Sequence, residues 1–232
     1  MIGEGVLVVD DDKEIADLVE IHLVSEGYEV HKTNSAIEGL QILQSKDIKL
    51  VILDIMMPGM DGLTMCKKIR ENSTIPIIIL SARSADLDKI VGLGAGADDY
   101  VIKPFNPLEL TARVKSQIRR YTEFNPNSLV DKDNEIILSN VTINKEIHKV
   151  IAYGKEVKLT PIEFDILYLL ASKVGRVFST DEIFERVWKE RMYEANNTVM
   201  VHIRRIREKI EMDPRNSKII KTVWGVGYKI EE

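Results

Sequence analysis

The stretch Leu50-Val-Ile-Leu-Asp-Ile-Met-Met-Pro-Gly-Met-Asp-Gly62 decides the fold class of this chain. Its first four residues are apolar, which is typical of a short strand buried on both faces of a parallel sheet. Asp54 follows directly, and the pairs Pro58-Gly59 and Asp61-Gly62 predict a turn after it. Open α/β sheets bind their ligands at the carboxyl ends of the strands, so Asp54 stands where chemistry is expected.

Short apolar strands and amphipathic helices alternate on both sides of this stretch. We predict strands at Val6–Val9, Glu29–Thr33, Leu50–Leu53, Pro76–Leu80 and Tyr100–Ile102, and helices near Lys13–Ser25, Ala36–Ser45, Leu63–Glu71, Leu87–Leu93 and Pro107–Arg120. This alternation indicates an α/β domain with a doubly wound, five-stranded, mostly parallel sheet over residues 1–121. A polar, Pro-bearing linker follows at residues 122–134.

Residues 135–232 have a different pattern, which indicates an α+β winged-helix domain. Short strands are predicted near Ile136–Leu138, Val141–Asn144 and Lys149–Ile151, then helices over Pro161–Lys173, Thr180–Trp188 and Asn196–Glu211, and a last hairpin that turns at Trp224-Gly-Val-Gly227. Thr160-Pro-Ile-Glu163 combines the residues of a capping box and marks the start of the first helix.

Composition and charge narrow the class of protein. No apolar run approaches the roughly 20 residues that span a bilayer, and the first residues do not form a secretory signal, so we expect a cytoplasmic protein without a membrane partner. The lone cysteine, Cys66, excludes an internal disulfide. Residues 1–121 carry 14 basic and 19 acidic residues, whereas residues 196–230 carry eight and three. This asymmetry indicates a cation-binding domain joined to an anion-binding one.

Polar side chains follow four of the predicted parallel strands. Asp10 and Asp11 follow the first strand, Asp54 the third, Ser81 the fourth and Lys103 the fifth. Clustered carboxylates are costly without a cation, and hard oxygen ligands suit Mg²⁺. A carboxylate beside such a metal can accept a phosphoryl group, whose oxygens an ammonium and a hydroxyl can bind. A solvated acidic loop is the alternative, which four converging strand ends disfavour.

These motifs resemble a known family. The motifs Val-Val-Asp-Asp-Asp12, Leu-Asp54-Ile-Met-Met-Pro-Gly, Leu-Ser81-Ala and Lys103-Pro-Phe resemble the flavodoxin-like (CheY-like) receiver domain of bacterial two-component response regulators. The second half, with Leu159-Thr-Pro-Ile-Glu-Phe, Val201-His-Ile-Arg-Arg-Ile-Arg and Trp224-Gly-Val-Gly-Tyr, resembles the winged-helix effector domain of the OmpR/PhoB subfamily. The ending Lys-Thr-Val-Trp-Gly-Val-Gly-Tyr-Lys-Ile is particularly similar to regulators of vancomycin-resistance operons.

The resemblance implies roles for the residues at the strand ends. Asp54 would be the phosphoacceptor, and Mg²⁺ would be bound directly by Asp11, Asp54 and the backbone carbonyl of Met56, with Asp10 acting through water. Lys103, whose bond to Pro104 would be cis, would hold the phosphoryl group. Ser81 and Tyr100 would be a switch pair, in which Ser81 turns toward the phosphate and Tyr100 rotates inward. For Tyr100 the alternative is an aromatic ring that only covers the edge of the sheet.

The helix predicted over Asn196–Glu211 is the candidate for reading DNA. Its apolar stripe is Val199, Ile203, Ile206 and Ile210. As the third helix of a helix-turn-helix arrangement it would enter the major groove, and the residues expected to contact DNA are Asn197, Thr198, His202, Arg204, Arg205 and Arg207, with Lys221 and Thr222 of the hairpin. A solvated basic surface is the alternative, and for His202 a packing contact. Trp224 replaces an Arg of many relatives, which removes a minor-groove cation from the wing.

The resemblance also implies partners. Charged residues match positions that dimerise active receivers, namely Lys89, Asp98, Asp99, Glu109, Arg113 and Arg120, although ordinary surface charge is the alternative. The expected protein is a regulator that a sensor histidine kinase phosphorylates. It would then form a homodimer, bind a direct-repeat operator in double-stranded DNA and act with RNA polymerase on transcription.

An enzyme is the competing class. Haloacid dehalogenase-like phosphatases also form an aspartyl phosphate with a bound metal, but they carry a second Asp two residues after the nucleophile, where this chain has Met56. A stand-alone receiver adaptor is excluded by the basic winged-helix half. We therefore expect a phosphoacceptor regulator, with slow autodephosphorylation at most, rather than an enzyme.

Overall fold

A computed structural model describes residues 3–82, 85–122, 135–189 and 195–231, with only the backbone at 195 and 196. The chain divides into two compact units, Met1–Thr122 and Glu123–Glu232. Except for Thr122, the linker predicted at residues 122–134 lies outside the described residues. Over the described ranges, no helix combines the length and apolar character that crossing a membrane requires.

In the first unit, parallel strands alternate with helices, as the sequence predicts. The strands are β1 (Gly5–Val9), β2 (Glu29–Thr33), β3 (Ile48–Asp54), β4 (Ile77–Ser81) and β5 (Asp99–Ile102), and the helices are α1 (Lys13–Ser25), α2 (Ala36–Ser45), α3 (Gly62–Asn72), α4 (Asp86–Gly94) and α5 (Pro107–Thr122). The strand order is β2-β1-β3-β4-β5, with every pairing parallel. This confirms the doubly wound sheet, and β3 ends on Asp54 itself.

Helices cover the sheet on both faces, which explains why β3 is apolar throughout its middle. One face packs against α1 and α5 through a cluster that includes Val19, Leu23 and Val114. On the other face, α2 and α4 approach the sheet closely at two glycines. A Cβ atom added to Gly39 of α2 would lie 3.1 Å from the side chain of Val9, and one added to Gly92 of α4 would lie 3.1 Å from the side chain of Ile79. The carboxyl ends of the strands remain available for a site.

The second unit is the predicted winged helix with additional strands. It contains β6 (Glu135–Leu138), β7 (Val141–Asn144), β8 (Lys149–Ala152), β9 (Lys155–Val157), α6 (Pro161–Ala171), β10 (Phe178–Ser179), α7 (Thr180–Trp188), α8 (Ala195–Ile210), a 3-10 helix (Pro214–Asn216), β11 (Ile220–Val223) and β12 (Gly227–Ile230). Strands β6 to β9 form an antiparallel sheet, and β10 pairs with the terminal hairpin. Strands β9 and β10 and the 3-10 helix were not predicted.

Capping and burial account for the helices of the second unit. Helix α6 begins with the predicted capping box, in which Thr160 accepts the N–H of Glu163 and the Glu163 side chain accepts the N–H of Thr160. The predicted apolar stripe of α8 lies in the hydrophobic core with α6, α7 and the hairpin. That packing commits one face of α8 to the core of the second unit.

Candidate functional site

Three carboxylates converge at the carboxyl ends of β1 and β3. One oxygen atom from each of Asp10, Asp11 and Asp54 lies within 4.8 Å of the others. The side chains of Asp10 and Asp54 are buried, whereas that of Asp11 is exposed. The strand order reverses between β1 and β3, and ligands of open α/β sheets bind at such a point. The carboxylates Asp11 and Asp54 line an open pocket of about 630 Å³.

Lys103 bridges two of these carboxylates. Its Nζ donates hydrogen bonds to Asp10 Oδ2 at 2.7 Å and to Asp54 Oδ1 at 2.9 Å. The Met56 N–H donates to the other oxygen of Asp54 at 2.7 Å. Lys103 follows the end of β5 and precedes a cis bond to Pro104, as expected. The structure therefore places an ammonium directly against the proposed phosphoacceptor.

The electrostatics of the pocket follow from burial and these contacts. Burial raises the pKa of Asp10, although the hydrogen bonds from Lys103 and from the Asp12 N–H act in the opposite direction. Burial lowers the pKa of Lys103, but its bonds to Asp10 and Asp54 outweigh burial, so that this pKa is raised above its ordinary value. Lys103 is thus a stable positive charge beside Asp54.

The cluster fits Mg²⁺ in its donor set. Lys103 pairs with two of the three carboxylates, and among the described residues the cluster offers oxygen donors without histidine or cysteine. Asp12 has a separate role, because its side chain caps α1 by accepting the N–H groups of Glu14 and Ile15. The expected contribution of the Met56 carbonyl stays a prediction.

The two switch residues lie on the neighbouring strands β4 and β5. Ser81 is buried at the end of β4, and its carbonyl accepts the N–H of Lys103 at 2.8 Å. Tyr100 is also buried, and a Cβ on Gly92 of α4 would stand 3.1 Å from two carbon atoms of its ring. The ring therefore packs inward between β5 and α4, whereas its role in switching stays a prediction.

The three arginines of α8 have different environments, contrary to the expectation that all of them face DNA. The side chain of Arg204 is 79% exposed and pairs with Glu208 one turn away at 2.9 Å. Arg205 is buried and pairs with Glu163 at 2.8 Å. Arg207 donates to the Ile220 carbonyl of the hairpin at 3.1 and 2.7 Å. Of these three arginines, Arg204 is the one that points to solvent. The prediction that Arg205 contacts DNA is wrong, because its side chain is buried in an internal ion pair.

Glu163 anchors α8, and sequence reasoning recognised only its capping role. Besides pairing with Arg205, the Glu163 carboxylate accepts hydrogen bonds from Lys209 Nζ at 2.6 Å and from the Thr160 N–H at 2.9 Å. Burial alone would raise the pKa of Glu163, but Arg205, Lys209 and the N–H of Thr160 hold it below the ordinary value. No local signal could have revealed this anchor, because the two cations lie more than 40 positions further along the chain.

The other predicted DNA contacts also divide into inner and outer residues. His202 has an exposed fraction of 0%, and its ring centroid lies 5.4 Å from that of Trp188. His202 is therefore a packing residue of the core, and its assignment as a DNA contact is wrong. Asn197 and Thr198 lie partly exposed in the first turns of α8. On the hairpin, Thr222 accepts a hydrogen bond from Arg207 at 2.9 Å, and Lys221 donates to the Ser217 carbonyl at 2.9 Å.

Several residues predicted for the dimer interface are engaged within the chain. Asp98 has an exposed fraction of 0% and accepts Arg70 Nη2 at 2.6 Å, which corrects its assignment as an interface residue. Arg113 and Asp99 are buried and pair with each other at 2.8 Å. Arg120, on α5, is also buried. The ammonium of Lys89 lies 3.9 Å from the carboxylate of Asp86 on the same helix. Glu109 is half-exposed and contacts Arg113 at 2.8 Å.

Comparison with protein families agrees with this division into two units. Residues 6–115 match the response regulator receiver domain, and residues 154–230 match the transcriptional regulatory protein, C terminal, family. The chain therefore belongs to the response regulators, and its two units define the OmpR/PhoB type, with a receiver and a winged-helix DNA-binding domain.

Particular relatives are similar over the whole chain. The regulatory protein VanR of Enterococcus faecium is 48% identical and VanRc of Enterococcus gallinarum 47% identical, each over the full length of both chains. Among solved structures, DrrB of Thermotoga maritima, an OmpR/PhoB homolog, is 33% identical over the full length of both chains with a TM-score of 0.52. A RitR mutant is 26% identical over 99% of this chain and 100% of its own, with a TM-score of 0.74.

Proposed function

We propose that this response regulator receives a phosphoryl group on Asp54 from a sensor histidine kinase, with Mg²⁺ bound in the acidic pocket. The observation that carries the proposal is the position of Asp54: it ends the central strand, lies among converging carboxylates and touches Lys103. Asp10, Asp11 and Asp54, with the Met56 carbonyl, would hold the metal, which neutralises charge on the phosphoryl oxygens.

The transfer uses groups that are already in place. A carboxylate oxygen of Asp54 attacks the phosphorus, so that a P–O bond forms as the bond to the donor's histidine nitrogen breaks. Lys103 Nζ, 2.9 Å from Asp54 Oδ1, then contacts the transferred phosphoryl group, and the Ser81 hydroxyl donates to it. The chain acts as the acceptor, with slow autodephosphorylation at most, and the ring of Tyr100, already buried against α4, shifts further into the space that Ser81 vacates.

Intact-mass analysis with a small phosphodonor and Mg²⁺ tests the acceptor. The wild-type chain should gain one phosphoryl group, whereas Asp54→Ala should gain none. Asp61→Asn is the matched control, because Asp61 only caps α3 through the Thr64 N–H at 2.6 Å, a role that asparagine also fills. Equal incorporation into wild type and Asp54→Ala would refute the assignment.

For the second unit we propose sequence-specific binding to double-stranded DNA through α8. The support is the exposed Arg204 on the same helix as the partly exposed Asn197 and Thr198, with Lys221 and Thr222 on the hairpin that Arg207 joins to this helix. A relative from Mycobacterium bovis, 39% identical over 97% of this chain and 96% of its own, is called the DNA-binding response regulator MtrA.

The biological consequence we propose is phosphorylation-dependent control of transcription in the cytoplasm. A receiver dimer would place two winged helices on a direct-repeat operator and act with RNA polymerase. The similarity to VanR makes glycopeptide-resistance genes the first targets to examine. Footprinting across the source genome identifies the operator, and a phosphorylated chain that protects no site would overturn this part of the proposal.

A further inference from the structure

An open groove lies within the second unit, between the hairpin of β8 and β9 and the end of α8. Its volume is about 460 Å³, and clefts that bind ligands usually hold roughly 300 to 1,000 Å³. Residues of the hairpin form one wall, and residues 209–212 form the other. Two large side chains at its border reach solvent, because Tyr153 is 40% exposed and Met212 is 78% exposed. The groove therefore combines free volume with apolar side chains.

Strand β9 forms an open edge of this groove. The sheet order is β6-β7-β8-β9, and within the described part of the chain β9 pairs with β8 alone. The backbone N–H and C=O groups on the outer side of an edge strand can pair with a further strand. β9 has only three residues, of which Lys155 and Glu156 are exposed. Short, charged edges resist non-specific pairing, so this edge favours a partner strand of matching length and charge.

The register of β8 and β9 shows which side chains face the groove. Val157 lies opposite Val150, and Lys155 lies opposite Ala152, so these four residues share one face of the sheet. Val150 and Ala152 belong to the hydrophobic core of the second unit, which makes this the inner face. A strand added beside β9 would place every second side chain on the same face. Those side chains would enter the groove.

The charge that the groove offers is positive. Lys155 and Lys158, one at the start of β9 and one directly after it, line the groove and are exposed. Two acidic residues also line it, but both are engaged. Glu156 forms a salt bridge on the outer face of the sheet at 2.9 Å, and both carboxylate oxygens of Glu211 accept N–H groups of residues 218–220. A segment with acidic residues at both ends therefore complements this edge.

We propose that this groove binds an extended segment of a partner protein, with apolar residues flanked by acidic ones, and that the segment pairs with β9 as a fifth strand. Main-chain hydrogen bonds to β9 supply affinity, and pockets for alternate side chains supply selectivity. The apolar side chains enter the groove beside Ala152 and Val157, and the acidic ends contact Lys155 and Lys158. This inference depends neither on phosphorylation of Asp54 nor on DNA binding.

The DNA surface proposed above lies elsewhere on α8. Asn197, near the start of this helix, and Lys209, in its last turn, stand 12 positions apart, or about 18 Å along the axis. Nucleic acid fits the groove less well than a protein segment, because a phosphate backbone uses cations but neither an apolar floor nor the edge of a sheet. One chain can therefore bind DNA and a protein segment at the same time.

Calorimetry and hydrogen exchange on the full chain give the first test. The probe is the peptide acetyl-Glu-Asp-Val-Thr-Val-Asp-Glu-amide, whose two valines would enter the groove. It should bind and slow amide exchange in residues 155–157, because an added strand takes up the outward N–H groups of β9. The same peptide with proline in place of threonine cannot pair as a strand and should bind at least about tenfold more weakly. A peptide with lysine at all four acidic positions should show neither effect.

Removal of the two cations gives the second test. Lys155→Gln combined with Lys158→Gln should weaken binding of the acidic peptide about tenfold, because two exposed ionic contacts of ordinary strength together contribute that much. Lys173→Gln combined with Lys218→Gln is the matched control, because it removes the same charge from exposed positions of the second unit that do not line the groove. The control should bind the peptide as the wild type does, and thermal melting of both double variants checks the fold.

Four results would overturn the proposal. An acidic peptide that binds more weakly than about 1 mM, or that binds without protecting residues 155–157, would show that β9 does not accept a strand. Protection of β9 in the free, monomeric chain would assign the groove to another segment of the chain itself. Self-association of the wild type in sedimentation, lost when Lys155 and Lys158 are both replaced by glutamine, would assign the groove to a second copy of the chain.

Discussion

His148 shows how burial acts on a single residue. It lies between β7 and β8 with a left-handed backbone, φ +46°, and its ring centroid is 3.9 Å from that of Phe164. Burial, with a smaller effect of Lys145, lowers the pKa of His148 from 6.5 to about 3. The folded second unit therefore holds a neutral imidazole at any pH at which the protein functions.

The first prediction is a loss of stability in mild acid. Between pH 6.5 and about 3, His148 is protonated in the unfolded chain but neutral in the folded chain. The free energy of unfolding therefore falls as the pH falls, by at most about 1.4 kcal/mol per pH unit. His148→Asn, which tolerates the left-handed backbone, should flatten this dependence. Urea midpoints at pH 7.5 and 5.0, followed by near-UV dichroism of the tryptophans, measure the change.

His22→Asn is the matched control for that experiment, since His22 lies on α1 in the first unit. It should leave the midpoint of the second unit unchanged at both pH values. If His148→Asn and the wild-type chain lose the same stability on acidification, burial of a neutral imidazole is not the cause.

At the scale of one element, α8 combines a structural face and an outward face within a single turn. Arg205 and Lys209 enclose Glu163, whereas Arg204 points to solvent. Because both faces carry arginine, an experiment that replaces all three arginines together would mix loss of folding with loss of binding. Single replacements separate the two effects.

We expect Arg204→Ala to keep the melting temperature, because an exposed i,i+4 pair contributes about 0 to 1 kcal/mol. Its affinity for DNA should fall, and the slope of log affinity against log salt should decrease by about one unit if Arg204 binds a phosphate. Arg205→Ala should instead destabilise the second unit by about 3 kcal/mol, because the buried Glu163 loses a cation.

Urea unfolding and binding titrations at several salt concentrations check both variants. Adding Glu163→Gln to Arg205→Ala should recover part of the lost stability, because it removes a buried charge that has lost one of its two cations. An Arg205→Ala chain as stable as wild type, or an Arg204→Ala chain with unchanged affinity and salt slope, would contradict this division of α8.

At the scale of the whole molecule, dimerisation would couple a phosphoryl group on the first unit to DNA binding by the second unit. Dimerisation of the receivers would make binding of the second winged helix intramolecular and raise its effective concentration at a neighbouring half-site. This coupling needs no particular arrangement of the two units within one chain. It requires only that phosphorylation stabilises the dimer.

With Mg²⁺ and beryllofluoride as the phosphoryl mimic, we expect sedimentation to show a dimer. Affinity for a direct repeat should then rise at least tenfold, while affinity for a single half-site should barely change. Glu109→Lys reverses a half-exposed charge at the predicted interface and should keep the chain monomeric. Lys115→Glu reverses a charge that is 70% exposed on the same helix and should behave as wild type.

A chain that stays monomeric with the mimic bound, yet still gains affinity for the direct repeat, would show that receiver pairing is not the switch. Dimerisation of Glu109→Lys equal to that of wild type would leave the switch in place but move the interface away from this part of α5.

The sequence alone determined the parallel sheet, the winged helix and the acidic pocket. Apolar runs, turn residues and capping boxes act over a few neighbouring positions, so they can be read without knowing the fold. The pocket follows as a consequence, because parallel strands bring their carboxyl ends to one edge. Asp10, Asp11 and Asp54 meet there although one strand and two helices separate Asp11 from the strand that ends on Asp54.

Only the tertiary structure decided which charged side chains face outward. Arg204 and Arg205 are neighbours of the same type, and the buried Glu163, 42 positions before Arg205, separates their roles. In the same way Asp98 turns inward to Arg70, and the two-residue strand β10 exists through its pairing with β12. The physical reason is that desolvation and pairing depend on partners distant in sequence, and no local pattern encodes them.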